Sequence, residues 1–162
     1  MILISHRGNI NGKKLLLENT PTYIDNALKR GYNVEIDVWW YNESFYLGHD
    51  KPLYKIDAEF LYKLGKDGSQ FWCHAKNVEA IIEMKKYTPI NRHAYPFPNI
   101  HYFWHQKDDI TLTSQGYVWA YPGKQPIKDS IAVLPEIFQD DLDVCKGICS
   151  DNIINYRKNN EI

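Results

Sequence analysis

The sequence carries almost no net charge and lacks a long basic run. Lys and Arg together number 19 and Asp and Glu 20, so the formal net charge is -1 over 162 residues. No basic run exceeds two residues, as in Lys13-Lys14 and Lys85-Lys86. Because a nucleic-acid surface needs clustered basic residues, we expect no nucleic-acid partner.

Cysteine is also scarce, and the three residues Cys73, Cys145 and Cys149 show no zinc-type spacing. An odd number of thiols is typical of a reducing compartment rather than of a disulfide framework. No apolar run is long enough to span a bilayer, and chemically distinctive residues begin at His6, which leaves no room for a signal peptide. We therefore expect a cytoplasmic protein without stable membrane insertion.

The composition is that of one globular domain over residues 1–162. Hydrophobic residues make up 44% and charged residues 24%, and this length suffices for one core. The pattern does not indicate an oligomeric state. Several segments are continuous apolar runs, as in strands buried on both faces. The predicted strands are 2–5, 33–39, 45–47, 71–75, 100–105, 117–121, 131–134 and 147–150.

Three helices are predicted between the early strands. The first begins at Thr20-Pro21, which suits an N-cap and a first helical position, and ends at Gly31. The second follows Asp57 and stops at Gly65, and the third follows Asn77. Their apolar faces are Phe60, Leu61 and Leu64 in the second helix, and Val78, Ile81, Ile82 and Met84 in the third.

Strands that alternate with helices imply a parallel sheet. An open doubly wound sheet normally has a glycine-rich phosphate loop after its first strand, which Arg7-Gly8-Asn9 does not resemble. A barrel instead gathers reactive residues from several strand ends at one face. We therefore predict an α/β fold, a compact TIM-type (β/α) barrel. Its outer helices would be reduced, because such barrels usually need roughly 200 residues or more. The proline-rich segment 89–99 is predicted to be a loop.

Two carboxylates stand on the second predicted strand. Glu35 and Asp37 are two positions apart and therefore share a face, while Val34, Ile36 and Val38 point towards covering helices. Burying two like charges is costly without compensation, and paired oxygens suit Mg²⁺ or Ca²⁺. The sequence thus predicts a metal site here; the alternative is a salt-bridged pair on an edge strand.

The same alternation places His74 and Lys76 on one face of the strand at 71–75. Lys76 could neutralise a substrate phosphate or pair with Glu35, and these roles are compatible. His74 is either a metal ligand or a packed core residue.

His6 and His49 are the candidates for proton transfer. Cleavage of a phosphodiester removes one proton and delivers another, and two imidazoles can divide these tasks near neutral pH. Arg7 offers a planar set of donors for phosphate oxygens, although it could also pair with Glu18 or Asp50. Of the other histidines, His105 closes a predicted strand and could line the rim of the site.

Aromatic residues are abundant, at 14% of the chain. Most are expected in the core. Trp104 and Tyr121 lie near predicted strand ends and are candidates for the walls of a substrate cleft.

Five short motifs follow one another along the chain. They are His6-Arg7-Gly8, Glu18-Asn19-Thr20, Glu35-Ile36-Asp37-Val38, Gly48-His49-Asp50 and, more weakly, Gly147-Ile148-Cys149-Ser150-Asp151. In these motifs the chain resembles the glycerophosphodiester phosphodiesterase family, and the first four occur in family order. The resemblance implies a TIM barrel that hydrolyses glycerophosphodiesters with a divalent metal, usually Ca²⁺ or Mg²⁺. It further implies the following roles: His6 and His49 as catalytic residues, Arg7 at the phosphate, and Glu35 and Asp37 as metal ligands.

The chain departs from that family in two places. The family has an acidic residue two positions before the lysine of its third barrel strand, whereas this chain has His74-Ala75-Lys76. A nitrogen ligand favours Mn²⁺ or another transition metal; if His74 is not a ligand, the ion keeps an extra water. The family's insertion after the His49 segment is also much reduced in this chain.

We therefore expect a metal-dependent phosphodiesterase that cleaves a small glycerophosphodiester-type substrate through His6 and His49. The phosphate would be bound by Arg7 and Lys76, and the metal by Glu35, Asp37 and His74. One alternative is a phospholipase-type lyase that forms a cyclic phosphate, as in barrels similar to bacterial phosphatidylinositol phospholipase C. Another is a non-catalytic barrel that binds phosphosugars or phospholipid headgroups.

Overall fold

The chain folds around one curled, mixed β-sheet that forms a half-barrel. The computed structural model describes residues 1–63, 68, 70–87 and 100–157. The strands are β1 (Ile2–His6), β2 (Asn33–Tyr41), β3 (Ser44–Leu47), β4 (Tyr54–Ile56), β5 (Phe71–Ala75), β6 (His101–Phe103), β7 (Ile110–Leu112), β8 (Val118–Ala120), β9 (Ile131–Val133) and β10 (Gly147–Ser150). The α-helices in these ranges are α1 (Pro21–Lys29) and α2 (Val78–Tyr87).

Seven strands of the sheet are parallel neighbours, in the order β6-β5-β2-β1-β10-β9-β8. The antiparallel strands β3 and β4 extend the sheet beside the second half of β2, and antiparallel β7 follows β8. The curl brings β6 close to the segment that follows β7, since the backbone N–H of Ser114 donates to the carbonyl of Tyr102 (2.8 Å).

The sheet separates two apolar clusters. On β2, Val34, Ile36 and Val38 face outwards and pack with residues of α1 and α2, as their alternation predicts. On the concave face, Ile4 of β1 and Trp72 of β5 pack with residues of β6, β8, β9 and β10. The polar residues of the site occupy this concave face near the strand ends.

The first helix forms as predicted. Thr20 is its N-cap, with Oγ1 accepting from the N–H of Tyr23 (3.4 Å), and Pro21 is its first residue. Ile24, Ala27 and Leu28 form its buried face. This helix fixes the direction in which the chain returns to start β2.

The third predicted helix is present as α2, but only half of its predicted apolar face is buried. Met84 is buried and Ile81 packs against the core, together with Ala80, whereas Val78 and Ile82 are exposed by 43% and 52%. Positions two apart lie about 200° apart around a helix, so a helix that buries 80 and 84 turns 78 and 82 outwards. The helix predicted after Asp57 is a 3₁₀ helix, Ala58–Tyr62, in the described part of the chain; Leu64, Gly65 and segment 89–99 lie outside it.

The predicted TIM barrel is wrong. The sheet has ten strands, mixed in direction, and only two α-helices accompany it in the described ranges. The connections in the second half contain turns and a 3₁₀ helix, Pro135–Ile137. Segment 121–130 is near the minimum of about 10–12 residues for a helical crossover, and its Pro122 and Pro126 disfavour a helix.

The eight predicted strands are present, within about two residues at each end, while β4 and β7 were not predicted. Both are three-residue antiparallel strands with exposed positions, so they lack the long apolar run on which the prediction depends. Within the described ranges, no helix combines the length and apolar character required to cross a lipid bilayer.

Candidate active site

The site lies at the carboxyl ends of β1 and β5 and in the first half and middle of β2, where strand register brings the predicted residues together. The parallel ladders pair His6 with Glu35, and Asp37 with His74. Asp37 is fully buried. The remaining predicted site residues all line one cavity of about 660 Å³: His6, Arg7, Glu35, His49, His74 and Lys76.

Asp37 is the most heavily compensated charge of the site. Its Oδ2 lies 2.9 Å from Nε of Arg7 and accepts from Nδ2 of Asn19 at 2.8 Å. Its Oδ1 lies 3.1 Å from Nδ1 of His74 and 3.4 Å from Nζ of Lys76. Burial alone would raise the pKa of Asp37, but the His74 hydrogen bond and the Arg7 and Lys76 charges hold it well below its usual range.

Glu35 is buried beside Asp37 without comparable compensation. Its Oε2 has no hydrogen-bond partner in the described residues, and Nε2 of His6 lies 3.8 Å away. Burial and the charge of Asp37 raise the pKa of Glu35. Ligand atoms of Glu35, Asp37 and His74 all lie within 4.8 Å of one another. A cation at this point would reduce the cost of burying the Glu35 carboxylate.

His6 is oriented by Asp151, which directly follows β10. The β1–β10 register pairs Ser5 with Ser150, so the next residues along both strands are neighbours. Nδ1 of His6 lies 2.7 Å from Oδ1 of Asp151, which also accepts from Nδ2 of Asn9 (2.8 Å). An ionised carboxylate can only accept, so Nδ1 carries a proton. Burial lowers the pKa of His6, but the Asp151 hydrogen bond and the Glu35 charge outweigh it, and the net shift is upward.

His49 occupies the rim of the cavity rather than its floor. Its side chain is 44% exposed, and Nδ1 lies 2.7 Å from Oδ1 of Asp50, which is itself 89% exposed. Burial and the charge of Arg7 lower the pKa of His49. The two candidate imidazoles therefore line the same cavity with pKa shifts of opposite direction.

Aromatic side chains form another wall of the cavity. Trp104, His105 and Tyr121 all line it, as predicted for strand-end aromatics. The His105 ring stacks on His74 (4.5 Å between ring centres) and lies 4.0 Å from the Tyr121 ring. Burial lowers the pKa of His105 to about 4, so this ring is neutral near pH 7.

The acidic pair does not lie at the edge of the sheet, and its two carboxylates differ in their partners. An edge-strand position is wrong, because β2 lies between β1 and β5. A salt-bridged carboxylate describes Asp37, which contacts Arg7 and Lys76, better than Glu35, for which the recorded contact is His6 at 3.8 Å. Lys76 pairs with Asp37 rather than with Glu35. His74 both hydrogen-bonds to Asp37 and stacks on Phe103 (5.4 Å).

Two residues that organise the site had no predicted role: Asn19 and Asp151, which hold Asp37 and His6. The predicted alternative pairing of Arg7 with Glu18 is present (3.2 Å), and Glu18 also accepts from Asn9 (3.0 Å). Glu18 and Asn19 belong to a recognised motif, and Asp151 ends another. The signal for Asp151 is its position just after a strand parallel to β1.

Comparison with known proteins adds no assignment: no family model, no curated protein sequence and no solved structure matches this chain.

Proposed function

We propose that this protein is a metal-dependent phosphodiesterase that cleaves a glycerophosphodiester-type substrate in the cavity of about 660 Å³. The observation that carries the proposal is the buried Oε2 of Glu35, which has no hydrogen-bond partner in the described residues and lies in a cavity also lined by four histidines and three cationic side chains. The cavity therefore contains groups that can bind a metal ion, bind a phosphate and transfer two protons.

The residues present fit a divalent cation. Glu35 offers an open oxygen, a ring nitrogen of His74 and an oxygen of Asp37 lie within 4.8 Å of a Glu35 oxygen and of each other, and Asp37 is shared with Arg7 and Lys76. One nitrogen and two oxygen ligands suit Mg²⁺ or Mn²⁺, and Ca²⁺ remains the family expectation. A bound cation would supply positive charge next to a non-bridging phosphate oxygen.

Arg7 and Lys76 are the groups for the phosphate. Both line the cavity, and Asp37 anchors both through its two oxygens. A shared anchor restricts their side-chain freedom before substrate binds, which lowers the cost of ordering them later. Their charges would stabilise the negative charge that develops at phosphorus.

His6 and His49 transfer the protons. One imidazole takes a proton from the attacking water as its oxygen bonds to phosphorus. The other gives a proton to the alcohol oxygen as the phosphorus–oxygen bond breaks, so the products are an alcohol and a phosphomonoester. If a substrate hydroxyl attacks instead of water, the same transfers give a cyclic phosphate.

The test is phosphorus NMR of products from glycerophosphodiesters and lysophospholipids, run with Mg²⁺, Ca²⁺ or Mn²⁺. We expect a metal-dependent phosphomonoester product, and loss of at least about 100-fold in rate for His6→Ala and for His49→Ala. His101→Gln is the matched control, since His101 is buried outside this cavity. A cyclic product would identify the lyase alternative, and binding without turnover the non-catalytic one.

Metal binding has its own readout. Mn²⁺ titrated into chelator-treated protein should bind to the wild type and about 10- to 100-fold more weakly to Glu35→Gln. Equal affinity in both proteins would show that Glu35 does not bind the metal. The proposal would then lose the observation that carries it.

A further inference from the structure

Three consecutive leucines are exposed beside the cavity. Leu15, Leu16 and Leu17 are exposed by 72%, 91% and 43%. Leu53, on the segment that follows His49, is exposed by 51%. Leu15, Leu16 and Leu53 line a hollow of about 500 Å³ that shares Arg7, Lys13 and His49 with the candidate active site. We call Leu15, Leu16, Leu17 and Leu53 the leucine patch.

The turn that carries these leucines is held by the site itself. The N–H of Leu17 and of Glu18 donate to the carbonyl of Lys14 (2.8 and 3.1 Å), and the N–H of Lys14 donates to Oδ1 of Asn9 (3.1 Å). The Glu18 carboxylate then bonds to Arg7 and Asn9. The turn therefore holds the leucines outwards in a defined conformation, because burial of its polar residues fixes its ends.

Cationic side chains surround the leucine patch. Lys13 and Lys14 directly precede Leu15, and Lys51 is two residues before Leu53. All three lysines are exposed. In the described part of the chain, none of the three takes part in a salt bridge. The nearby acidic groups have other partners: Glu18 is paired with Arg7 and Asp50 with His49, and Asp151, whose charge interacts with that of Lys13, is bonded to His6.

We propose that the leucine patch, with Lys13, Lys14 and Lys51, docks this protein on an anionic lipid surface. Contiguous exposed leucines mark an interaction surface, and surrounding lysines match the negative potential of anionic lipid headgroups. Apolar residues at the headgroup boundary with lysines beside them are the pattern of peripheral binding. Such docking would present the cavity mouth to lipid headgroups.

This inference rests on the proposed function in one respect: docking helps the reaction only if the diester to be cleaved belongs to a lipid. Docking itself is measured without turnover. The test is sedimentation of the full chain with phosphatidylcholine vesicles, with and without phosphatidylglycerol. We expect binding to the anionic vesicles that weakens as salt is added.

Two double variants separate the apolar and charged contributions. Leu15→Ser with Leu16→Ser should weaken binding to anionic vesicles at least about tenfold. Lys14→Gln with Lys51→Gln should weaken it about fivefold for each lysine. The matched control is Leu112→Ser, which is 65% exposed and pairs with Val118 at the start of β8, away from the carboxyl strand ends. It should bind as the wild type does.

Several outcomes would overturn the docking proposal. They are absence of wild-type binding, equal binding to vesicles without phosphatidylglycerol, and unchanged binding of the leucine variant. So would a wild-type dimer that the leucine variant converts to a monomer, because a second copy would then cover the patch. If vesicles bind but no phosphodiester is cleaved, docking stands and the proposed function fails. If a water-soluble diester is cleaved but vesicles do not bind, the proposed function stands and docking fails.

Discussion

Nε of Arg7 lies 2.9 Å from Oδ2 of Asp37, so an expected phosphate ligand and an expected metal ligand are paired with each other. Lys76 and His74 contact the other oxygen of the same carboxylate. Asp37 thus pairs with the cationic groups of the site, and the Glu35 carboxylate remains available to bind a metal cation. The two acidic residues, adjacent on one face of β2, should therefore respond in opposite ways to loss of charge.

We expect Asp37→Asn to destabilise the metal-free protein by about 3–5 kcal/mol, because it leaves buried cationic partners uncompensated. Glu35→Gln should be neutral or stabilising by about 1–2 kcal/mol, because it removes a buried charge whose Oε2 has no hydrogen-bond partner among the residues that the structure describes. Urea denaturation of both variants with a chelator present measures the difference. Equal destabilisation by both substitutions would contradict this division of roles.

The stability of the protein should depend on His101 in mildly acidic solution. His101 is buried against Trp72 (3.8 Å between ring centres), and the amide nitrogen of Gln70 lies 2.8 Å from its Nε2. Burial lowers its pKa from 6.5 to about 4. As the pH falls below 6.5, the unfolded chain takes up this proton before the folded chain does, so the unfolded state is favoured.

The free energy of unfolding should therefore keep its full value with respect to His101 above pH 6.5. It should decrease progressively as the pH falls towards 4, by about 1–3 kcal/mol in total. The free energy of unfolding of wild type and of His101→Gln, measured by urea denaturation across this range, gives the comparison. The variant should lose less stability on acidification. Parallel curves for the two proteins would show that His101 does not titrate in this way.

Thiol reactivity tests the arrangement of the two cores. Cys73 and Cys149 are fully buried, and burial raises the pKa of both thiols. Cys145 is half-buried, with Sγ donating to the carbonyl of Leu142 (3.2 Å). An Ellman reagent assay should label one thiol slowly in the native protein and all three in guanidinium, and Cys145→Ser should remove the native signal. Rapid labelling of two or three native thiols would contradict the fold.

Gly48 fixes the turn that leads to His49. Its φ of 147° lies in the region that favours glycine, and a Cβ there would lie 2.2 Å from the carbonyl oxygen of Lys51. Gly48→Ala should cost about 2–4 kcal/mol. The control is Gly116→Ala, at φ 84° with no atom within 4 Å of the added Cβ, which should cost about 1 kcal/mol. Thermal unfolding measures the stability of both variants. Equal losses of stability would show that neighbouring atoms move to accommodate a Cβ at position 48.

Much of the site could be predicted because side-chain alternation and strand ends are local properties. The alternation of β2 placed Glu35 and Asp37 on the concave face, and Thr20-Pro21 marked the start of α1. In the second half, four of the five strands were predicted, and the short, exposed β7 was not. The chain length indicated reduced outer helices, but the turns that replace them, and hence the mixed half-barrel, could not be predicted from local patterns.

The partners within the site depend on register, which the sequence does not show directly. Asp37 could be seen to face inwards, but its contact with His74 requires the pairing of β2 with β5. The role of Asp151 likewise depends on the pairing of β10 with β1. Both pairs are far apart in the chain, so local patterns carry no information about them.

Asp151 provides a last test, which separates orientation of His6 from simple burial. With the carboxylate at 2.7 Å, Nδ1 of His6 is the protonated nitrogen. An asparagine at 151 can donate to Nδ1 and so favour the other tautomer. Asp151→Asn should therefore lower the rate of diester cleavage by about 10²- to 10⁴-fold, and imidazole nitrogen NMR should show the proton of His6 on Nε2.

Asp50→Asn is the matched control, because Asp50 contacts His49 at the same distance but is 89% exposed. Water can replace that hydrogen bond, so the rate should fall by less than about tenfold. The orientation hypothesis fails if Asp151→Asn keeps the wild-type tautomer and yet loses activity, since the loss would then have another cause. It also fails if the tautomer changes and the rate does not, because the proton on Nδ1 would then be irrelevant to catalysis.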